Sequence, residues 1–206
     1  MVNLLDTGPA DGPCLLFAHG AGAPMDSVFM HKMAELLGER GVRVLRFEFA
    51  YMAARRQGDK RPPPPNMSKL LAEFKAMIET LAPGPLAIGG KSMGGRAASL
   101  IAQELFDAGR IRKLVLFGYP FHPPTKPEHL RTAHLESLTV PTLLLQGERD
   151  PFGTKEEVEL YPLSGKIRLA WMADGDHDFK PRVASGHTWK ENLAQAADDA
   201  ANFIYA

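Results

Sequence analysis

Six short apolar runs, Cys14 to Ala18, Val42 to Phe49, Leu86 to Ile88, Leu114 to Phe117, Thr142 to Leu145 and Ile167 to Met172, alternate with longer segments of helical period. Parallel strands need connections long enough to hold a helix, so this alternation predicts a three-layer α/β/α sandwich around a mostly parallel sheet of six to seven strands. Most of the runs are apolar throughout, as strands covered on both faces must be. Val42 to Phe49 departs from this, because Arg43, Arg46 and Glu48 interrupt it. The helical segments are Ser27 to Glu39, Ser68 to Leu81, Met93 to Ala108, Thr154 to Leu160 and Thr188 to Ile204. In the second of them Leu70, Leu71, Phe74, Met77, Ile78 and Leu81 form one apolar stripe at three- and four-residue steps. Ser68 is expected to cap its start and Pro83-Gly84-Pro85 to stop it. In the last, Trp189, Leu193, Ala197, Phe203 and Ile204 make a looser stripe expected to pack as a terminal helix.

Two connections read as long and irregular. Ala50 to Met67 carries Arg55, Arg56, Lys60, Arg61 and prolines at 62 to 65, and Tyr119 to Leu135 carries four more prolines. The first either stiffens the surface or offers a proline-rich ligand to a signalling module. Both follow expected strands, which puts them at the carboxyl edge of the sheet, where ligands bind in this architecture.

A length of 206 residues fits one domain covering 1–206, at about 150 residues per domain. Lys plus Arg number 24 and Asp plus Glu number 24, so no net charge draws in a polyanion and nucleic acid is not an expected partner. Cys14 is the only cysteine, which excludes an internal disulfide and a cysteine-based zinc site and fits a reducing, cytoplasmic setting. The first residues lack a basic segment followed by an apolar stretch, and no run of 18 apolar residues occurs, so neither export by a visible signal nor a membrane span is expected.

The chemistry centres on Leu86-Ala87-Ile88-Gly89-Gly90-Lys91-Ser92-Met93-Gly94-Gly95-Arg96, an apolar strand running through Gly-x-Ser-x-Gly into a helical segment. So tight a turn puts Ser92 in a strained backbone conformation, and side chains at 90 and 94 would collide across it. The hydroxyl of Ser92 would stand clear of the sheet at the positive end of the next helix, with the Met93 N–H facing the same space. A glycine-rich turn with an incidental serine is the plainer reading. A phosphate-binding loop is excluded, since its pattern needs glycine where Pro85 stands.

A serine hydroxyl needs a base, and the base an orienting carboxylate. Asp150 follows the run Thr142 to Leu145, and His177 follows Ile167 to Met172, both at expected carboxyl ends of strands. Alone, Asp150-Pro151 is an ordinary turn and His177 an ordinary loop histidine. A calcium loop starting at Asp174 fails, because it needs glycine at 179 and glutamate at 185 and finds Phe179 and Ser185. The order serine, acid, histidine is what lifts the three together. His19-Gly20-Ala21-Gly22, at the end of the first run, lets the main chain approach the serine. The N–H of Ala21 or Gly22 is therefore the expected second oxyanion donor beside Met93, each donor being worth roughly 3 kcal/mol. His19 is expected to hold its loop in shape rather than to act as the base.

Together His19-Gly20-Ala21-Gly22, Gly90-Lys91-Ser92-Met93-Gly94-Gly95-Arg96, Gly147-Glu148-Arg149-Asp150 and Gly175-Asp176-His177-Asp178 resemble the α/β-hydrolase superfamily. More narrowly, the chain is similar to the small capless group near the dienelactone hydrolases that includes the testis-expressed hydrolase-like proteins. The resemblance runs from about residue 4 to the C-terminus and takes in Arg46-Phe47-Glu48-Phe49 and Gly118-Tyr119-Pro120-Phe121-His122-Pro123-Pro124. It implies an α/β-hydrolase fold without a cap domain, with Ser92 as nucleophile, Asp150 as acid and His177 as base. Dienelactone hydrolases proper carry cysteine in place of Ser92, so their lactone substrate does not transfer. The shortness of the chain leaves too few residues for the leading antiparallel strands and for a lid, which predicts an open site.

These readings converge on a serine hydrolase cleaving a small ester or thioester through an acyl-enzyme, with no cofactor and no metal. His122, Phe121, Met25 and Tyr51 are the expected substrate-binding side chains, and Lys91 and Arg55 are further candidates for an acidic substrate group. Two rivals remain. One is a peptidase or amidase using the same triad, and the other is a non-catalytic scaffold presenting the Arg55 to Pro65 loop to a partner.

Overall fold

The computed structural model describes residues 4–58, 62–81 and 86–206. Among them, seven strands form one sheet: β1 (Leu4–Thr7), β2 (Cys14–Ala18), β3 (Arg43–Phe47), β4 (Leu86–Lys91), β5 (Ile111–Phe117), β6 (Thr142–Gly147) and β7 (Ile167–Met172). The sheet order is β1-β3-β2-β4-β5-β6-β7. Every neighbouring pair is parallel except β1, which runs antiparallel along β3. The helices are α1 (Val28–Glu39), α2 (Ala50–Gln57), α3 (Met67–Thr80), α4 (Met93–Asp107), α5 (Lys155–Val158) and α6 (Trp189–Tyr205).

Side-chain alternation along the strands builds two cores, one on each side of the sheet. Leu15 and Phe17 of β2, Val115 and Phe117 of β5, and Leu143 and Leu145 of β6 bury against α1 and α6. Leu16, Leu114, Leu116 and Leu144 bury on the other side, against α3 and α4. The chain is thus the α/β/α sandwich that the alternation of apolar runs predicts. The 118–141 connection after β5 holds one 3-10 turn, Ala133–Leu135, and no α-helix. Among the described residues no helix is long and apolar enough to cross a membrane.

Four expectations need correction. A leading antiparallel strand does exist: β1 is four residues long, too short for a sequence pattern, and its Asp6 carboxylate receives two side-chain nitrogens of Arg43. Ala50 to Met67 is not irregular throughout, because Ala50–Gln57 forms α2. Its alanines favour helix, Tyr51 and Met52 bury against the core, and the prolines that suggested a loop begin only at 62. Ser68 does not cap α3. Asn66 does, its side-chain oxygen accepting the Lys69 N–H at 3.1 Å, and Ser68 falls inside the first turn. The run Val42 to Phe49 yields a strand only over Arg43–Phe47. Lys60, Arg61 and the expected stop Pro83-Gly84-Pro85 lie outside the described residues.

The charges inside the Val42 to Phe49 run find partners. Buried Arg46 donates to Met25 O at 3.2 Å and to Thr7 Oγ1 at 3.1 Å. Glu48 receives Arg56, which also grips Asp26. These contacts tie β3 and α2 to the loop after β2, one wall of the site.

Candidate active site

The carboxyl ends of β2, β4, β6 and β7 converge on one cleft of about 380 Å³, lined by the Gly20–Ala23 loop, Ser92, His177, Lys91, Phe152 and Trp189 among others. At the end of β4 the chain reverses into α4 through Ser92, whose φ of 52° is in the left-handed region. The two flanking glycines make the reversal possible. A Cβ on Gly90 would stand 2.4 Å from the carbonyl carbon of Gly94, and one on Gly94 would stand 2.5 Å from the His19 carbonyl oxygen. Backbone packs on backbone here, so a side chain has nowhere to go. Met93 is the first residue of α4, where main-chain N–H groups have no intrahelical acceptor. Its side chain packs against the α3–α4 core.

Asp150 lies in the turn after β6 and is fully buried. Its carboxylate accepts from His177 Nδ1 at 2.7 Å, from Gln146 Nε2 at 3.0 Å and from the Phe152 main-chain N–H at 2.9 Å. Three donors satisfy a charge that burial alone would make costly. Because the carboxylate only accepts, Nδ1 of His177 carries the proton and Nε2 is left free to accept one. The imidazole packs against the Phe152 ring at a centroid distance of 4.5 Å. Of the acidic residues around His177, Asp174 pairs with Arg149 and Arg182, Asp176 accepts the main-chain N–H groups of Asp178 and Lys180, and Asp178 lies 3.5 Å from Lys91.

The Gly20–Ala23 loop is held from behind. His19 is buried, accepts the Phe49 N–H at Nε2 and donates from Nδ1 to Gly20 O at 2.7 Å. Burial pushes its imidazole below the ordinary range, which keeps it neutral. The Tyr51 hydroxyl donates to Ala21 O at 2.9 Å, and burial pushes that phenol up to about 12.

The four side chains expected to bind substrate do not line this cleft. Tyr51 supports the Ala21 carbonyl instead. Met25 is buried, its main-chain N–H bound to Glu48 and its carbonyl to Arg46. Phe121 is buried among Tyr119, Tyr161 and Gly153. His122 is buried beneath the Phe152 turn, with its N–H on the Phe152 carbonyl. All four sit near the site in sequence terms, but a strand end exposes only some of its neighbours, and apolar or half-apolar side chains turn inward. Of the two further candidates, Lys91 borders the cleft, while Arg55 stacks on Tyr51 and donates to Pro62 O. Reading the sequence missed Gln146, Phe152 and Trp189. Gln146 had a signal, a lone amide closing an apolar run. Trp189 had none, since its approach to the cleft comes from the packing of α6. Among the described residues no group of three His, Cys, Asp or Glu side chains stands close enough to hold a metal ion.

The sequence pattern of the alpha/beta hydrolase domain family matches residues 11–205. The chain belongs to that family. Solved structures with the same fold share little sequence with it. Est1E from Butyrivibrio proteoclasticus, solved with ferulic acid, superposes with a TM-score of 0.73 at 15% identity, covering 100% of this chain and 96% of its own. A lidless serine hydrolase from Xanthomonas campestris superposes at 0.66 with 16% identity, covering 98% of this chain and 87% of its own. The thioesterase domain of the curacin biosynthetic pathway superposes at 0.64 with 16% identity, covering 98% and 94%. At these identities the likeness concerns the fold of this hydrolase-family chain.

Proposed function

We propose that this chain is a serine hydrolase, a single domain over 1–206, that cleaves an ester or thioester of modest size through an acyl-enzyme. The observation that carries the reading is the 2.7 Å hydrogen bond from His177 Nδ1 to buried Asp150, with His177 in the same cleft as Ser92 on its strained turn. Ser92 Oγ attacks the carbonyl carbon as His177 Nε2 takes its proton, and the N–H groups of Met93 and of Ala21 or Gly22 receive the oxyanion. His177 then protonates the leaving group, and Asp150 stabilises the imidazolium in between. Water, deprotonated by the same imidazole, attacks the acyl-enzyme and releases the acid. The cleft of about 380 Å³ lies at the small end of the range for small-molecule sites, which supports a modest substrate. Lone Cys14 supports a cytoplasmic setting.

A fluorophosphonate probe tests the assignment. One phosphonyl group added per chain and mapped to Ser92, with none on the Ser92→Ala protein, is the expected result. A folded protein that stays unlabelled would favour the non-catalytic scaffold, and labelling elsewhere would overturn the choice of nucleophile.

A further inference from the structure

Lys91, the residue before Ser92, has a buried side chain, 7% exposed, although it borders the cleft. Its ammonium donates to the main-chain carbonyl of His177 at 2.7 Å, lies 3.5 Å from Asp178 Oδ1 and sits 5.2 Å over the Phe29 ring. The adjoining carbonyl, that of Asp178, accepts Trp189 Nε1–H from α6 at 2.7 Å. Two consecutive carbonyls of the base-bearing loop are thus held by side chains, one from the end of β4, far away in sequence, and one from the start of α6.

Stability alone does not explain a lysine at this place. Withdrawing an ammonium from water costs several kcal/mol, and an apolar side chain of similar length would fill the same space without that cost. What the ammonium supplies is a fixed distance. In the sheet β5 and β6 separate β4 from β7, so Lys91 must cross the end of β5 to reach the loop after β7. It crosses at Gly118, where φ is +59° and an added Cβ would stand 2.9 Å from both Lys91 Nζ and His177 O. Only a bare backbone leaves this passage open. The Asp150 hydrogen bond and the Phe152 ring both act on the imidazole and not on the main chain that carries it. The Lys91 ammonium anchors that main chain.

We propose that Lys91 is a positioning residue for His177, tying the base-bearing loop to the strand that carries the nucleophile. The proposal rests on the triad reading above. It differs from substrate recognition by Lys91 in a measurable way, because a residue acting only through His177 loses its effect once the imidazole is gone.

The experiment is a double-mutant cycle on the full chain, using Lys91→Met, His177→Ala and the double variant. Its readouts are kcat and KM for a small activated aryl ester and the rate of Ser92 phosphonylation. Lys91→Met is expected to lower kcat and the phosphonylation rate on the order of 10²-fold, as a misplaced base does, with KM unchanged. In the His177→Ala background the same substitution is expected to cost nothing further in phosphonylation. An equal loss in both backgrounds would overturn the proposal, as would full kcat in Lys91→Met or a raised KM at constant kcat. Should Lys91→Met fail to fold, Lys91→Gln removes the ammonium with a shorter polar side chain and is expected to show the same His177-dependent loss. Wild-type rates in a folded Lys91→Gln protein would then count against the anchor. His177→Ala with undiminished turnover would instead refute the triad itself, a result separate from any effect at Lys91.

Discussion

His177 donates its Nδ1 proton to Asp150 across 2.7 Å, and the accepting carboxylate is shut off from solvent. A buried carboxylate bound to one ring nitrogen fixes the tautomer and presents the other nitrogen as a base. Replacing Ser92 by alanine should then lower kcat by about 10⁶, and Asp150→Asn should cost about 10⁴ by reversing the tautomer. Initial rates on a p-nitrophenyl ester check both. Turnover by the alanine protein at the wild-type rate would remove Ser92 from the mechanism.

The turn at Ser92 tolerates no side chain beside it. Gly94→Ala would put a Cβ 2.6 Å from Ala18 O and 2.5 Å from His19 O, overpacking that costs about 1–3 kcal/mol or more. Because Ala18 and His19 lead into the Gly20–Ala23 loop, activity should fall along with stability. Urea titration alongside esterase rates measures the two, and an unchanged denaturation midpoint would contradict the close packing.

Tyr51 offers a direct contrast between two roles. A substrate-binding phenol would raise KM when lost. A phenol that holds the Ala21 carbonyl at 2.9 Å should instead lower kcat, by about tenfold for one hydrogen bond of roughly 1–1.5 kcal/mol. Tyr51→Phe assayed over a full substrate range separates them, and a pure KM effect would return Tyr51 to the substrate.

His134 should make the fold sensitive to acid. Burial, with the Arg96 guanidinium nearby, pushes its imidazole from 6.5 down to about 4, and its Nε2 lies 2.8 Å from Ser99 Oγ. A base whose folded pKa is depressed takes up its proton first in the unfolded chain. Its contribution is therefore whole above about pH 6.5 and is lost as the pH falls toward 4, below which the loss levels off. His19 is shifted in the same direction. The thermal midpoint should drop between about pH 6.5 and 4, and His134→Gln, with no proton to gain, should flatten part of that slope. Parallel midpoint curves for the two proteins would show that His134 does not contribute.

How much of the site was legible follows from what each residue touches. Ser92, Asp150 and His177 could be singled out as candidates because each follows an apolar run, and strands Cys14–Ala18 and Ile167–Met172 begin and end where the runs do. The turn chemistry around Ser92 was equally plain, since glycines at 90 and 94 answer a local steric demand. Tyr51, Met25, Phe121 and His122 stand outside the lining of the cleft, because nearness along the chain to a strand end says nothing about which way a side chain turns. The α2 helix was obscured by prolines several residues beyond its end, and β1 by its four-residue length.

By itself the sequence determined the alternation of strands and helices, the tight turn at Ser92, and the order in which Ser92, Asp150 and His177 stand along the chain. These depend on side-chain period and local backbone sterics, which neighbouring residues settle among themselves. Only the tertiary structure decided that Gln146 clasps Asp150, that the Tyr51 hydroxyl reaches the Ala21 carbonyl, and that Lys91 passes Gly118 to reach the His177 carbonyl. Such contacts join residues on different strands, and their directions are set by how the sheet stacks its ends together, a property no single stretch of chain contains.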